Sequence, residues 1–230
     1  MEINENKEII DRLKKTIKKF DTIENARNFL NGKGGGTPHR IERLNKQYKA
    51  VSTFFQTYGI SENSNALDIG CSSGRYIKLF LANGFKSYGI DTSEVAIKYA
   101  NSFFDQKAVF INSSATHLPF KERTFDVVLC IELMHLFDDK YMEETIKNAS
   151  LLIRPGGIFI CDFRNSLNPI MWYSYKIRDG KHFNLKTRSM FKMINILKKY
   201  GFTICHIESL YFPISLFAPY EILFSKYEPK

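Results

Sequence analysis

The sequence predicts a doubly wound α/β fold: a mostly parallel sheet with helices on both faces, preceded by a helical cap. Three observations carry that expectation. From residue 65 onward, short apolar runs alternate with amphipathic stretches of helical length, the pattern of βαβ units. The first of these units, Ala66 to Asp91, runs from an apolar segment through a glycine turn and a helix to a second apolar segment ending in a carboxylate. The first sixty residues show only helical spacing of their apolar positions.

In chain order, Ile10, Leu13, Ile17 and Phe20 fall at intervals of three and four, predicting an amphipathic helix over 4–20 with lysines outward. Ile23, Ala26, Phe29 and Leu30 extend the pattern to a stop at Asn31-Gly32. Lys33-Gly34-Gly35-Gly36 is the most flexible stretch of the sequence. Thr37 and Pro38 then supply an N-cap and a first helical residue, and Ile41, Leu44, Tyr48, Val51, Phe55 and Tyr58 mark one face of a long helix. Glycines before a capped helix that carries His39, Arg40 and Tyr48 suit a lid over a cleft; the competing reading is a plain loop between two packing helices. Residues 1–60 are thus expected to form a helical cap or lid. Residues 61–230 form the main domain, entered through the polar link Ser61–Asn65.

Within the main domain, strands are expected at 65–69, 87–91, 108–111, 125–131, 158–163 and 202–209, and helices at 74–82, 93–104, 139–152 and 187–200. Between the fifth strand and the last helix, 164–186 forms an insert with Trp172, Tyr173, Tyr175, His182 and Phe183 among Arg164, Lys176, Arg178 and Lys181. After Ser209 come Pro213, Pro219 and a mostly aromatic run in which no clean strand is visible.

The glycine turn narrows the chemistry. A dinucleotide fingerprint needs G-x-G-x-x-G to bring backbone amides to a pyrophosphate. Here the glycines are Gly70 and Gly74, with Ser72 between them, and the carboxylate of Asp68 stands just before the turn. A carboxylate there suits an ammonium group. Asp91, at the end of the second strand, stands where an acid accepts ribose hydroxyls.

The run Asp68-x-Gly70-x-x-x-Gly74 closely resembles motif I of the class I S-adenosylmethionine-dependent methyltransferases, and Gly89-Ile90-Asp91 their next motif. Ser114–Phe120, Phe125–Cys130 and Leu151–Gly157 resemble later motifs in the same order, so the likeness covers roughly 65 to 163. It implies a Rossmann-like fold, S-adenosylmethionine as cofactor and S-adenosylhomocysteine as product. Asp68, Gly70 and Gly74 would hold the methionine end, with Cys71 and Ser72 in the same turn. Ser72 replaces the usual glycine, a change tolerated if its φ is negative. Ser114 stands where the family most often has an aspartate, and its hydroxyl can accept from the adenine amino group. Ala115 could offer a backbone amide to the ring; Thr92 and Leu118 would flank it, and Ile131 completes the cofactor set. Phe120 reads as core. In relatives a seventh, antiparallel strand lies beside the fifth; here it is either irregular or missing.

His135, after the fourth strand in Glu132-Leu133-Met134-His135-Leu136, is the catalytic candidate: a general base for the acceptor's proton. Proximity alone can carry much of such a reaction. Glu132 is a second candidate for acceptor contact, with a cap or salt bridge as its alternative. His117 reads as structural or exposed.

Composition is that of an ordinary globular chain, 44% hydrophobic and 25% charged. No apolar run approaches a membrane span, no charged-then-apolar leader opens the sequence, and Cys71, Cys130, Cys161 and Cys205 form neither a disulfide framework nor a metal-ligand spacing. The expectation is a reduced, cytoplasmic protein without a metal. Charge is uneven: 12 Lys/Arg face 7 Asp/Glu in 1–60, 10 face 13 in 61–162, and 11 face 4 in 163–230. The basic flanks fit a small anionic acceptor or an RNA, or are simply a solvated lysine-rich surface. A small-molecule methyltransferase leads; a tRNA-modifying enzyme and a non-catalytic cofactor-binding subunit are the alternatives. The oligomeric state is not legible in the sequence.

Overall fold

The computed structural model describes residues 22–33, 37–173, 186–211 and 218–229. The helix expected over 4–20, Gly34–Gly36, Pro213 and most of the aromatic insert lie outside them.

Helix α1 spans Ile23–Leu30, capped by the Thr22 side chain on the Asn25 amide. Helix α2 spans Pro38–Tyr58; Thr37 caps it, Pro38 opens it, and Gly59 ends it in the left-handed conformation. The first βαβ unit is β1 (Asn65–Ile69), α3 (Arg75–Ala82) and β2 (Lys86–Asp91), followed by α4 (Glu94–Phe104) and β3 (Ala108–Asn112). Then come β4 (Phe125–Cys130), a 3₁₀ turn at Met134–Leu136, and α5 (Asp139–Leu152). The rest is β5 (Ile153–Arg164), α6 (Pro169–Tyr173), α7 (Met190–Lys199), β6 (Phe202–Leu210) and β7 (Tyr220–Tyr227).

The seven strands form one sheet in the order β3-β2-β1-β4-β5-β7-β6. All neighbouring pairs are parallel except those of β7, which runs antiparallel to both β5 and β6. The fold class is the one expected. The end of the chain is not: the seventh strand is present, and its pairing with β5 runs without a break from Ile158↔Lys226 to Arg164↔Tyr220. Its first six residues are all buried, so no polar/apolar alternation betrays it, and two prolines precede it in the sequence. Strand β5 also begins earlier than expected, since Ile153 pairs with Phe125 and Arg154-Pro155-Gly156-Gly157 is carried in the strand across a register shift.

Two apolar layers sandwich the sheet. Val51, Phe54 and Phe55 of α2, with Ile77 and Phe80 of α3 and Ile97 and Phe104 of α4, pack on one face. Met142 and Ile146 of α5, with Met193 and Leu197 of α7, pack on the other. Alternate β4 residues divide between them, Val127 and Leu129 to the first and Val128 and Cys130 to the second, which is why buried parallel strands read as unbroken apolar runs. Phe54 stacks on Phe224 with ring centroids 4.2 Å apart, fixing the cap helix to β7. None of the helices among the described residues is long and apolar enough to cross a membrane.

One buried carboxyl gives the fold a pH dependence. Glu221 of β7 is fully buried and accepts the Ser209 hydroxyl at 2.8 Å; burial pushes its carboxyl up to about 7, from 4.5. A folded value above the unfolded one means stability that is full below about pH 4.5 and lost as pH rises through about 7. Glu221→Gln should flatten that part of the curve, measured by urea unfolding of both proteins at about pH 5 and about pH 8.

Candidate functional site

The carboxyl ends of β1 and β2 meet at the glycine turn. The amides of Gly70 and Cys71 both donate to the Ile90 carbonyl at 2.9 Å, which ties the turn to β2. Gly70 and Gly74 have φ of +79° and +90°, and a Cβ would meet Leu133 at 2.9 Å from the first and Phe104 at 2.6 Å from the second. Only glycine satisfies both demands. Gly89 yields the space that the Cys71 thiol fills, its absent Cβ lying 2.7 Å from Sγ. The Ser73 hydroxyl donates to the Ala26 carbonyl, so α1 is held on the turn.

Ser72 departs from expectation. Its φ is +47°, not negative, because the turn keeps the backbone path that a glycine would take. That conformation costs an L-residue about 1–2 kcal/mol, so Ser72→Gly should raise stability by roughly 1 kcal/mol, read from the shift of the urea midpoint. An unchanged midpoint would show that a contact of the serine offsets the strain.

Asp68 is 2% exposed and accepts no hydrogen bond from any described residue. Burial, with the charge of Asp91 added to it, raises its carboxyl well above the ordinary range. Such a group is poised for a cation: an ammonium beside it would restore its charge. Asp91 is held at both oxygens, accepting the Ser72 amide on Oδ2 and the Ser93 amide on Oδ1, each at 2.8 Å. Thr92 follows, exposed. Across β3, Ser114 is half-buried with its hydroxyl 3.1 Å from that of Thr116, and its carbonyl accepts the His117 amide. Ala115 and Ile131 are buried in opposite apolar layers. His117 is exposed, and Leu118 and Phe120 pack on the second layer.

Beyond the ends of β4 and β5 lies a buried polar network that the sequence did not reveal. Glu132, at φ +64°, accepts Arg43 Nη2 at 2.9 Å on Oε2, and Arg164 Nη2 at 2.6 Å and Gln47 Nε2 at 2.9 Å on Oε1. Asp162 accepts Arg164 Nη1 at 2.7 Å, Gln47 Nε2 at 2.8 Å and the Glu132 amide at 2.7 Å. Both guanidiniums lie 4.7 Å from the Tyr220 ring centroid. Burial alone would raise the Glu132 carboxyl, but Arg164 and Arg43 outweigh it and hold the group well below the usual carboxylate range. Glu132 is thereby a salt-bridged residue that docks α2 onto the sheet. Arg40 and Tyr48, the expected lid contacts, sit on that docked helix, and Tyr48 stacks on Tyr76 at 5.8 Å.

His135 is buried beside this network. Burial first, then the positive field of Arg164, keeps its imidazole well below the usual histidine range, hence neutral near pH 7, although Glu132 pulls the other way. Its Nδ1 is sealed from solvent without a hydrogen-bond partner among the described residues.

The structure therefore gathers the sequence-predicted residues into two neighbouring groups: the turn with Asp68 and Asp91, and the end of β4 with His135. Arg43, Gln47, Asp162, Arg164 and Tyr220 were missed. A signal existed: Asp162 and Arg164 interrupt an otherwise apolar strand at the alternation of one face, and Arg43 and Gln47 lie four apart on a helix.

Residues 67–161 match the family model described as a methyltransferase domain. The 27-O-demethylrifamycin SV methyltransferase of Amycolatopsis mediterranei (strain S699) is 35% identical over 97 residues, 40% of this chain and 35% of that protein. The tRNA U34 carboxymethyltransferase of Nautilia profundicola is 28% identical over 105 residues, 44% of this chain and 34% of that protein. The chain thus spans about a third of the length of these two relatives. Among solved structures, magnesium protoporphyrin IX methyltransferase (ChlM) from Synechocystis PCC 6803 with bound SAH superposes with a TM-score of 0.73 at 16% identity, covering 94% of this chain and all of that one. That likeness shows the fold.

Proposed function

We propose that this chain, whose residues 67–161 match a methyltransferase-domain model, is a class I S-adenosylmethionine-dependent methyltransferase that moves the methyl group to a small-molecule acceptor seated at the carboxyl ends of β4 and β5. The buried, partnerless carboxylate of Asp68 carries the cofactor assignment, because it sits at a glycine turn with no room for side chains and awaits a cation. The residues fit the cofactor. Asp68 would face the ammonium of its methionine end, Gly70 to Gly74 the same end through backbone, Asp91 the ribose, and Ser114 and Ala115 the adenine. When bound, S-adenosylmethionine supplies a methyl group activated by the sulfonium and leaves as S-adenosylhomocysteine.

The protein's own residues do the rest. Helix α2, docked through Arg43 on Glu132, would help to exclude water from the acceptor site. His135, neutral because buried among guanidiniums, can accept the acceptor's proton without first losing one of its own. The basic excess of residues 163–230, 11 Lys/Arg against 4 Asp/Glu, favours an acceptor that carries negative charge. A transfer assay with methyl-tritiated S-adenosylmethionine on cell extract, fractionated into RNA, protein, lipid and small molecules, tests the reading. Label should enter the small-molecule fraction, and His135→Gln should reduce it; label confined to another fraction would refute the acceptor class.

A second reading, an RNA acceptor, is favoured by the 11 Lys/Arg against 4 Asp/Glu in 163–230 and by the tRNA-modifying relative. Its mark would be salt-dependent gel-shift binding to bulk tRNA.

A further inference from the structure

We infer that Arg188 is the positioning residue for His135, holding the turn that carries the imidazole from two sides through backbone carbonyls. The inference rests on the base role proposed for His135. The imidazole Nδ1 has no hydrogen-bond partner among the described residues, so the orientation of the ring rests on the packing around it and on the backbone that carries it. That backbone is a single 3₁₀ turn, Met134–Leu136, whose bond from the Phe137 amide to the Met134 carbonyl is long at 3.4 Å, so the Met134 and Phe137 carbonyls are open to further donors.

Arg188 supplies them. The residue is 3% exposed, and its fork spans the turn: Nη1 donates to the Met134 carbonyl at 2.7 Å and Nη2 to the Phe137 carbonyl at 2.5 Å. Nε donates to Asp139 at 2.9 Å, an ion pair with a carboxylate that is itself more than half exposed. The Lys186 amide donates to the carbonyl of His135 itself at 2.8 Å. Arg188 is in turn fastened to the end of β5, its amide donating to the Arg164 carbonyl at 2.8 Å and its carbonyl accepting the Ser166 amide at 3.0 Å. The path from the rigid sheet to the His135 turn is continuous. It requires arginine: a lysine ammonium opposite Asp139 is a point charge and cannot reproduce a planar fork that reaches two carbonyls while keeping its ion pair.

The test uses the full chain with S-adenosylhomocysteine bound, and compares R188K, D139N and H135Q with the wild type. The chain has 5 histidines, so the His135 imidazole resonance is assignable by its loss in H135Q. In R188K that resonance should broaden or split, and tritiated-methyl transfer into the fraction the wild type labels should fall about ten- to a hundred-fold. S-adenosylhomocysteine affinity should change by less than about two-fold, because the turn does not hold the cofactor. D139N, which leaves the fork on its carbonyls, should stay near wild type in both readouts. An unmoved His135 resonance in R188K overturns the inference, as does a D139N loss equal to that of R188K, which would assign the effect to the ion pair. If H135Q transfers normally while R188K still displaces the resonance, the positioning stands and the base reading is what fails.

Discussion

Replacing Asp91 with alanine is expected to weaken S-adenosylhomocysteine binding by about 1.5–3 kcal/mol, roughly ten- to 150-fold. The carboxylate does two things at once. Each oxygen already accepts one backbone amide, Ser72 on one side and Ser93 on the other, so the group is rigid before any ligand arrives. In the proposed site the carboxylate would also accept the ribose hydroxyls, and charged acceptors form the stronger class of hydrogen bond. Alanine removes both ribose bonds and also frees the Ser72 amide at the strained point of the turn. Asp91→Asn keeps an oxygen acceptor and should lose less. Titration calorimetry measures the affinities and a thermal melt confirms that the variants are folded. Unchanged affinity in the alanine variant would remove the cofactor assignment built on the glycine turn.

The second large effect is on stability. Arg164→Ala should cost about 3–5 kcal/mol, the loss found when one member of a buried charge cluster is deleted. The Arg164 side chain is 0% exposed and bridges Glu132 and Asp162; without it the two carboxylates face each other with Arg43 and Gln47 as their side-chain donors among the described residues. For a chain of this size, each kcal/mol is about 2–4 °C in melting temperature, so the midpoint should fall by roughly 6–20 °C. Adding Glu132→Gln to Arg164→Ala should recover part of the loss, because it removes one uncompensated charge. Calorimetry showing a fall below about 2 °C would mean that the network adds little to the folded state.

The network also bears on the cap. Residues 1–60 are expected to form a cap or lid, and within them Arg43 and Gln47 bind α2 to residues 89 and 115 positions further along the chain. The Arg164 variant, which weakens that attachment, is therefore the one in which α2 should exchange its amide hydrogens fastest.

What the sequence determined by itself was everything carried by local rules. The period of the apolar residues marked the helices and most strands, Thr37 and Pro38 announced the start of α2, and the left-handed backbone demanded glycine at 70 and 74. Asp68 and Asp91 were legible because each stands at a strand end, a place that a repeating βαβ order predicts. Tertiary structure alone decided the rest. Strand β7 was hidden because burial on both faces erases the alternation by which a strand is read. Ser72 took a positive φ because the turn around it, not its own preference, set the path. The partners of Glu132 and the role of Arg188 depend on which charges the topology carries to the ends of β4 and β5. Residues 43, 132, 162, 164 and 188 meet only because a sheet order of β1-β4-β5-β7 brings distant segments together. A sequence states that a charge exists; only the fold decides whether it is buried and what neutralises it.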